Sequence, residues 1–456
     1  MHSATPPPSR LAARLSRAAR VEPRERRAVA LAFFCYFVLF GSYYILRPVR
    51  DTIATVFGAD ALQWLFTATL IGSLIASPIY AAVASRVALQ RLLPGVFWFW
   101  LLNVLLFDAL LAAYPASRLV AGAYYVWFSV VNLFMVSVLW SLMADTFSPD
   151  QSARLFPLVA AGGELGAIAG PLVTRFAVHA IGLPGLLLIA AGGFLAVIVL
   201  VHLLMREKSS LRESGEAQRS TLDHPLPGNP FEGFGEVLRS AYSRNQAAFM
   251  FLMTWVATVA YFFQTEIVAK SVSGIAGRAV VIADIALAVN ILSAVILIGG
   301  LGRFIQRFGV TASLVATPVM MIGAFLVVAL SPTLFMIQAI QVVRSVTQFA
   351  VARPSREICF TVVEQSRRYK GKNVIDTVVY RFGDATSAWF QAGLRAAGLH
   401  IPGAALVGIG ASVLWGAVAL MLGRRYEARR EAQGRQEAPG ISRGVTADGP
   451  DSSRLT

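Results

Sequence analysis

Twelve stretches of this chain are long and apolar enough to cross a bilayer, and that feature restricts the possible folds more than any other. A hydrocarbon core of about 30 Å needs roughly 20 residues of helix. Runs of that kind occupy residues 28–46, 61–84, 92–114, 119–145, 155–178, 183–204, 247–267, 279–302, 310–331, 333–352, 374–397 and 403–423. Backbone groups in lipid must be paired within their own segment, so the runs read as helices rather than strands. The chain is 56% hydrophobic and 14% charged, against roughly 25% charged residues in soluble domains. A soluble globular enzyme is thereby excluded.

The formal net charge of +15 by itself suggests a nucleic-acid partner, but the cations flank apolar segments instead of forming a patch, so no nucleic acid is expected. The expected surroundings are a lipid bilayer. With the N-terminus in the cytoplasm, 31 of the 40 cations fall in tails and inner loops. Seven lie outside (Arg47, Arg50, Arg118, Arg175, Lys270, Arg278 and Arg395), and Arg344 and Arg381 fall inside apolar runs. The positive-inside rule then gives a multi-pass cell (inner) membrane protein with both termini cytoplasmic.

Five regions emerge from this reading. Residues 1–27 form a basic cytoplasmic tail, followed by an apolar run too long for a signal h-region. Residues 28–205 form a six-helix bundle, 206–246 a cytoplasmic linker, 247–423 a second six-helix bundle and 424–456 a tail of disordered composition. In the linker, Phe231, Phe234, Leu238 and Tyr242 recur at three- and four-residue spacing. That pattern predicts a short amphipathic helix, either on the inner membrane surface or covering the rim of the bundle. The two bundles also echo each other. A basic loop containing Arg86 and Arg91 follows the second segment, and one containing Arg303 and Arg307 follows the eighth. The fifth segment carries Gly163-Glu164 and the eleventh Gly383-Asp384. This 6+6 symmetry resembles transporters of the major facilitator type, whose site lies near the midplane between the halves. The expected fold class is thus an all-α polytopic membrane protein of two pseudo-symmetric six-helix bundles.

Which side chains carry chemistry? There is no G-x-x-x-x-G-K-[ST] loop and no His pair at metal spacing, so neither ATP hydrolysis nor a metal site is expected. Cys35 and Cys359 are the only cysteines. No cofactor is expected, and no enzymatic activity.

Charged residues inside apolar segments are costly, about 2.5–3.5 kcal/mol for a mid-helix arginine, and normally face the bundle interior or a wet cavity. Arg344 is one, and Gln341 and Gln348 share its helix face. Such a stripe reads as the wall of a cavity for an anionic, hydrogen-bonding substrate; the alternative is a structural Arg344 paired with Asp284. In the first segment Tyr43, Arg47 and Asp51 share a face, Arg50 lies beside them, and Pro48 is expected to kink or break the helix. The competing account there is an Arg47–Asp51 pair capping the helix end. Arg381 and Asp384, three apart, are expected to pair with each other. Gly162, Gly166 and Gly170 form a small-residue groove for helix packing, with Glu164 among them as an inter-helix hydrogen bonder or a coupling group. The cluster Arg367-Arg368-Tyr369-Lys370-Gly371-Lys372 sits at an inner mouth, where topology or phosphate attraction accounts for it.

Leu46-Arg47-Pro48-Val49-Arg50-Asp51 resembles the first-helix Leu-Arg-x-x-Lys-Asp pattern of the ATP/ADP translocases, nucleotide transporters of the major facilitator superfamily. Trp140, Ala144 and Arg154-Leu155-Phe156-Pro157-Leu158 are similar to the family's Trp to Arg-Phe-Tyr-Pro-Leu stretch. Glu266-Ile267-Val268-Ala269-Lys270 is similar to its Glu-x-x-x-Lys segment, and Arg368 to Asp376 to its Lys-x-Lys-Gly-Lys-x-x-Ile-Asp segment. The chain departs from the pattern in two places. The stretch Trp127 to Asn132 lacks the family's acid, and Gly383-Asp384-Ala385 stands where the family reads Gly-Lys-Ser. The resemblance implies nucleotide exchange without hydrolysis, with Arg47, Arg50, Lys270 and Lys372 as cations and Asp51 and Glu266 as acids of the site.

The expected function is therefore alternating-access transport of a small anionic metabolite, a nucleotide first of all. The expected substrate-binding set is Tyr43, Arg47, Arg50, Asp51, Glu266, Lys270, Gln341, Arg344, Gln348, Lys370, Lys372 and Arg381, with Glu164 and Asp384 as possible coupling groups. Two alternatives stay open: proton-coupled transport of another compound, and a membrane scaffold that does not transport. The oligomeric state is left open.

Overall fold

The computed structural model describes residues 21–437 except 85, 88, 148, 214–231, 364–370 and 373, and omits the side chains of some helical residues, among them Trp140, Ala144 and Phe234. All regular structure in the described residues is helical. Helix α1 is Arg26–Phe57. A turn at Ala59–Ala61 leads to α2, Leu62–Ala84, then α3, Leu89–Ala113, and α4, Arg118–Thr146. A helical stretch Pro149–Glu213 is broken at Gly182, whose φ of 66° and ψ of −172° suit a residue without a side chain; the parts before and after are α5 and α6. Short α7, Glu232–Arg239, precedes α8, Ala241–Ser271, and α9, Ile275–Gly299. Helix α10, Leu301–Leu330, turns at Gly309. Helix α11, Leu334–Cys359, runs through a π turn at Gln348–Ala352. Another π turn, Ile375–Val379, opens α12, Tyr380–Ala396, and α13 is Ile401–Glu437. By length and composition nine described helices can span a membrane, with Arg154–Glu207 counted once. Its break at Gly182 makes that stretch two crossings, and α4 and α12 complete the twelve.

Each half has its own apolar core. In the first, residues such as Leu39, Phe97, Phe128 and Phe194 pack together; in the second, Phe249, Phe263, Phe325 and Trp415 do so. The expected glycine groove is present: a Cβ on Gly162, Gly166 or Gly170 would lie 2.3, 2.1 and 2.5 Å from the carbonyl oxygens of Phe33, Phe37 and Gly41. Only glycine lets α5 press on the α1 backbone this closely.

Several boundaries differ from the sequence reading. Helix α1 continues through Pro48 to Phe57 without a break, because neighbouring helices hold it on both sides of the missing amide; Tyr124 donates from its hydroxyl to the Leu46 carbonyl at 3.2 Å. Arg47, Arg50 and Asp51 therefore lie within a spanning helix rather than in an outer loop. Helix α11 runs seven residues beyond the expected end, taking in Arg353 and Arg356. The region from 424 is helical to Glu437, since it has partners: Arg425 donates to the Ala241 carbonyl at 3.0 Å, Glu427 accepts from Thr311 at 2.6 Å, and Arg429 lies 4.4 Å from the centre of the Tyr242 ring. The linker helix forms as α7, but Tyr242 belongs to α8, and Val237 is the buried residue while Leu238 is 67% exposed. Phe231 lies outside the described residues.

The halves meet toward the end of the molecule where α1 finishes. Arg175 on α5 pairs with Asp284 on α9. Arg278 donates to the Thr55 carbonyl at 3.3 Å, Trp389 to Thr67 at 2.9 Å, and Arg395 to Asp60 at 3.0 Å. Deeper in, Asn290 reaches the Ala167 carbonyl at 2.5 Å. Toward the opposite end, where α1 begins and α13 finishes, no hydrogen bond between the halves is found among the described residues. A cleft thus runs between the halves, closed at one end by polar contacts.

Candidate functional site

Three guanidinium groups converge on this cleft without a carboxylate partner among the described residues. Arg344, on α11, donates from Nε to Gln341 at 2.7 Å, from Nη1 to Gln348 at 2.7 Å and from Nη2 to Ser345 at 2.8 Å. All three acceptors are neutral and belong to its own helix. Gln341 is anchored in turn, donating to the Ala260 carbonyl on α8 at 2.9 Å. The glutamines therefore orient the guanidinium and leave its charge uncompensated. The Arg344–Asp284 pair considered from the sequence does not form, since Asp284 is taken by Arg175.

Arg47, half-buried on α1, lies 5.7 Å from the centre of the Tyr44 ring and has no hydrogen bond or ion pair among the described residues. Arg353 lies 4.7 Å from the centre of the Phe349 ring and is equally unpaired. Arg47 and Arg353 both act electrostatically on Arg344, and Arg47, Glu164 and Arg353 all act on Tyr44. These charges from both halves therefore surround one space. Glu164 is exposed and has no hydrogen bond or ion pair among the described residues.

The π turn explains why Arg353 belongs to the group. Nine residues of α-helix separate Arg344 from Arg353, which at about 100° per residue would put them on opposite faces. A π turn acts as an insertion of about one residue and rotates the downstream part of the helix by roughly 100°, so Arg353 swings toward the face of Arg344. Sequence periodicity at 3.6 residues per turn had no means of finding it.

Below this cluster lies a layer of neutralised charge. Asp51 accepts from Arg50 at 2.9 Å (Nε) and 2.5 Å (Nη2) and from the Tyr261 hydroxyl on α8 at 3.0 Å. The expected Arg47–Asp51 pair is thus replaced by an Arg50–Asp51 pair held from the other half, which leaves Arg47 free. Arg381 and Asp384 pair with each other at 3.4 Å, as expected. Thr258 donates to Asp384 at 2.8 Å, and Arg381 donates to the Ser129 carbonyl on α4 at 2.5 Å. Two of these contacts, Tyr261 to Asp51 and Arg381 to Ser129, join the halves. Tyr43 stacks on Phe128 with ring centres 5.3 Å apart.

The remaining expected site residues lie elsewhere. Lys270 pairs with Glu266 at 2.6 Å, and Glu266 also binds Arg395, which reaches Asp60; this network sits at the closed end, away from the arginines. Lys372 pairs with Glu357 at 2.5 Å beside the Arg356–Asp376 pair at 2.5 Å, at the opposite mouth. Lys370 falls outside the described residues. No group of three or more His, Cys, Asp or Glu that could hold a metal occurs among the described residues.

Two helical halves around a central polar cleft also fit the family comparison: a sequence profile of the Major Facilitator Superfamily matches residues 32–359. The chain belongs to this superfamily. Solved structures with a similar fold include a bacterial homolog of the human lysosomal transporter Spinster, inward-facing and unoccupied, at 16% identity and a TM-score of 0.58 over 92% of this chain and 100% of that one. The nucleoside transporter NupG aligns at 13% identity and a TM-score of 0.58 over 90% and 100%. A POT family transporter in complex with 5-aminolevulinic acid aligns at 12% identity and a TM-score of 0.60 over 88% and 96%. Identities this low establish the fold alone. Sequence comparison with curated proteins gives no match. As a facilitator-superfamily member the chain has the build of a secondary transporter, and the cleft is its route.

Proposed function

We propose that this facilitator carries an anionic metabolite by alternating access, with a nucleotide exchanged in the ATP/ADP manner as the first candidate. The observation that supports an anion is the set of three arginines, Arg47, Arg344 and Arg353, presented to one space with only neutral or aromatic partners. A structural arginine in a membrane is paired; these await a counter-ion. The motifs shared with nucleotide translocases and the rings of Tyr44 and Phe349 beside the cations suit a nucleotide. Asp384, the acid standing where those translocases have a lysine, is neutralised by Arg381 and so does not repel a phosphate as its charge alone implies.

Unpaired cations also favour exchange over net flux. To reorient empty, the cleft would have to close on arginines stripped of water, whereas a bound anion removes that cost. The positive-inside count places the terminus side, and hence the open end of the cleft, in the cytoplasm of the cell membrane. The test is counter-flow in liposomes: purified protein, an internal pool of unlabelled anions and external labelled nucleotides or organic phosphates. Accumulation of label only with a loaded interior supports the reading; label uptake that follows a pH gradient and ignores all added anions rejects it. The proton-coupled alternative rests on one observation, the unpaired carboxylate of Glu164 beside Tyr44, and that second outcome would favour it.

A further inference from the structure

Resting on the anion-carrier reading above, we infer that the cargo is a dianion of the phosphate monoester class, a nucleoside monophosphate included, rather than a di- or triphosphate. The inference comes from a count of charge around the cleft. Arg47, Arg344 and Arg353 contribute three positive charges with no carboxylate partner among the described residues. Glu164, which acts on Tyr44 together with Arg47 and Arg353, contributes one negative charge. The neighbouring ionic groups cancel in pairs: Arg50 with Asp51 and Arg381 with Asp384 toward the closed end, Lys372 with Glu357 and Arg356 with Asp376 toward the mouth. The uncompensated remainder is two positive charges.

A site that must close around its cargo excludes water, and closure costs least when no net charge is left behind. A phosphate monoester carries about −1.5 to −2 near pH 7 and presents three acceptor oxygens, which match three guanidinium forks. Its organic part then lies among the rings of Tyr44 and Phe349. A nucleoside triphosphate brings roughly two further negative charges for which this cleft holds no cation. Glu164 is thus the residue that sets the cargo's charge. Removing its carboxylate raises the remainder by one and makes room for a more highly charged nucleotide.

The experiment uses full-length protein in liposomes and measures the exchange kcat/KM of AMP, ADP, ATP, glycerol phosphate and succinate, for the wild type and for Glu164→Gln and Arg353→Gln. The wild type is expected to favour AMP and glycerol phosphate over ADP and ATP by at least tenfold. Glu164→Gln shifts the ADP-to-AMP ratio at least tenfold toward ADP, and Arg353→Gln shifts it away. Ratios of two substrates on one preparation cancel any loss of folded protein. A wild type that prefers ADP or ATP overturns the charge count while leaving the anion-carrier reading standing, and so does a ratio unmoved by Glu164→Gln. Succinate exchanged as well as glycerol phosphate overturns the choice of phosphate. If none of the five exchanges, the anion-carrier reading itself falls.

Discussion

Replacing Arg344 with glutamine separates a substrate ligand from a structural cation, because the two roles change opposite quantities. In the substrate role, the guanidinium faces an anion at about 4 Å, where a charge pair at an effective dielectric constant near 20 is worth about 4 kcal/mol. A neutral, hydrogen-bonding replacement keeps part of that, so exchange efficiency is expected to fall by about 10²–10³-fold. Stability should hardly change. The bonds from Arg344 to Gln341, Gln348 and Ser345 are lost, but so is the insertion cost of an uncompensated mid-helix arginine, about 2.5–3.5 kcal/mol. Arg381→Gln provides the contrast. It strands the buried Asp384 with only Thr258 as partner, and breaking a buried pair from one side costs about 3–5 kcal/mol. Thermal unfolding in detergent together with exchange per folded molecule in liposomes reads both effects. The reasoning is refuted if Arg344→Gln lowers the melting temperature as much as Arg381→Gln while exchange per folded molecule stays at the wild-type level.

Gly166→Ala should sharply reduce the yield of folded protein, since its Cβ would meet the Phe37 carbonyl oxygen at 2.1 Å, whereas Gly192→Ala, with nothing within 4 Å, should express normally; fluorescence size-exclusion profiles compare them. Tyr261→Phe removes the hydrogen bond to Asp51 that joins the halves, a contact of about 1.5–3 kcal/mol because its acceptor is charged. Labelling of a Thr67→Cys reporter by an impermeant thiol reagent should then quicken at least fivefold, with the native Cys35 and Cys359 buried and silent; an unchanged rate would show that the bond does not hold that end shut. The Arg175–Asp284 pair is partly exposed, 43% and 32% at the side chains, so a double-mutant cycle on it should give only about 0.2–1 kcal/mol. Deleting residues 1–20 should leave most of the flux, and loss of transport with normal membrane insertion would point instead to a role for the tail in partner binding.

How much of this was legible in the chain depends on the interaction that decides each feature. The twelve segments and the groove of Gly162, Gly166 and Gly170 follow from local rules: hydrocarbon thickness for the first, side-chain size at a four-residue interval for the second. The Arg344 stripe with Gln341 and Gln348 was equally readable, because an unbroken turn of helix keeps residues three and four apart on one face. The features that escaped needed knowledge of a partner. Asp51 has one arginine beside it and another four residues back, and Tyr261, 210 positions along the chain, accompanies its choice of the neighbour. Hydropathy ended α1 at 46 and α11 at 352 because arginines come next, although both helices continue. Arginines that face a polar cleft cannot be told by composition from arginines that mark a water boundary. Arg353 was therefore counted as a loop cation and hidden a second time by a π turn that periodicity assumes away.

The placement of the three unpaired arginines ties binding to movement. Arg47 stands on α1 in the first half, Arg344 and Arg353 on α11 in the second, and each is left free by a different device. Arg50 and Tyr261 occupy Asp51, which otherwise lies one helical turn from Arg47. Neutral glutamines hold Arg344. A π turn carries Arg353 round toward the cleft. An anion bound by one half alone meets only part of this charge, and one that touches both is held best when the halves draw together. A ligand shifts a conformational equilibrium only by its difference in affinity between the two states, and cations divided between the moving bodies supply that difference directly. Were all three on one half, the same anion would bind as tightly with the cleft open as closed and would drive nothing.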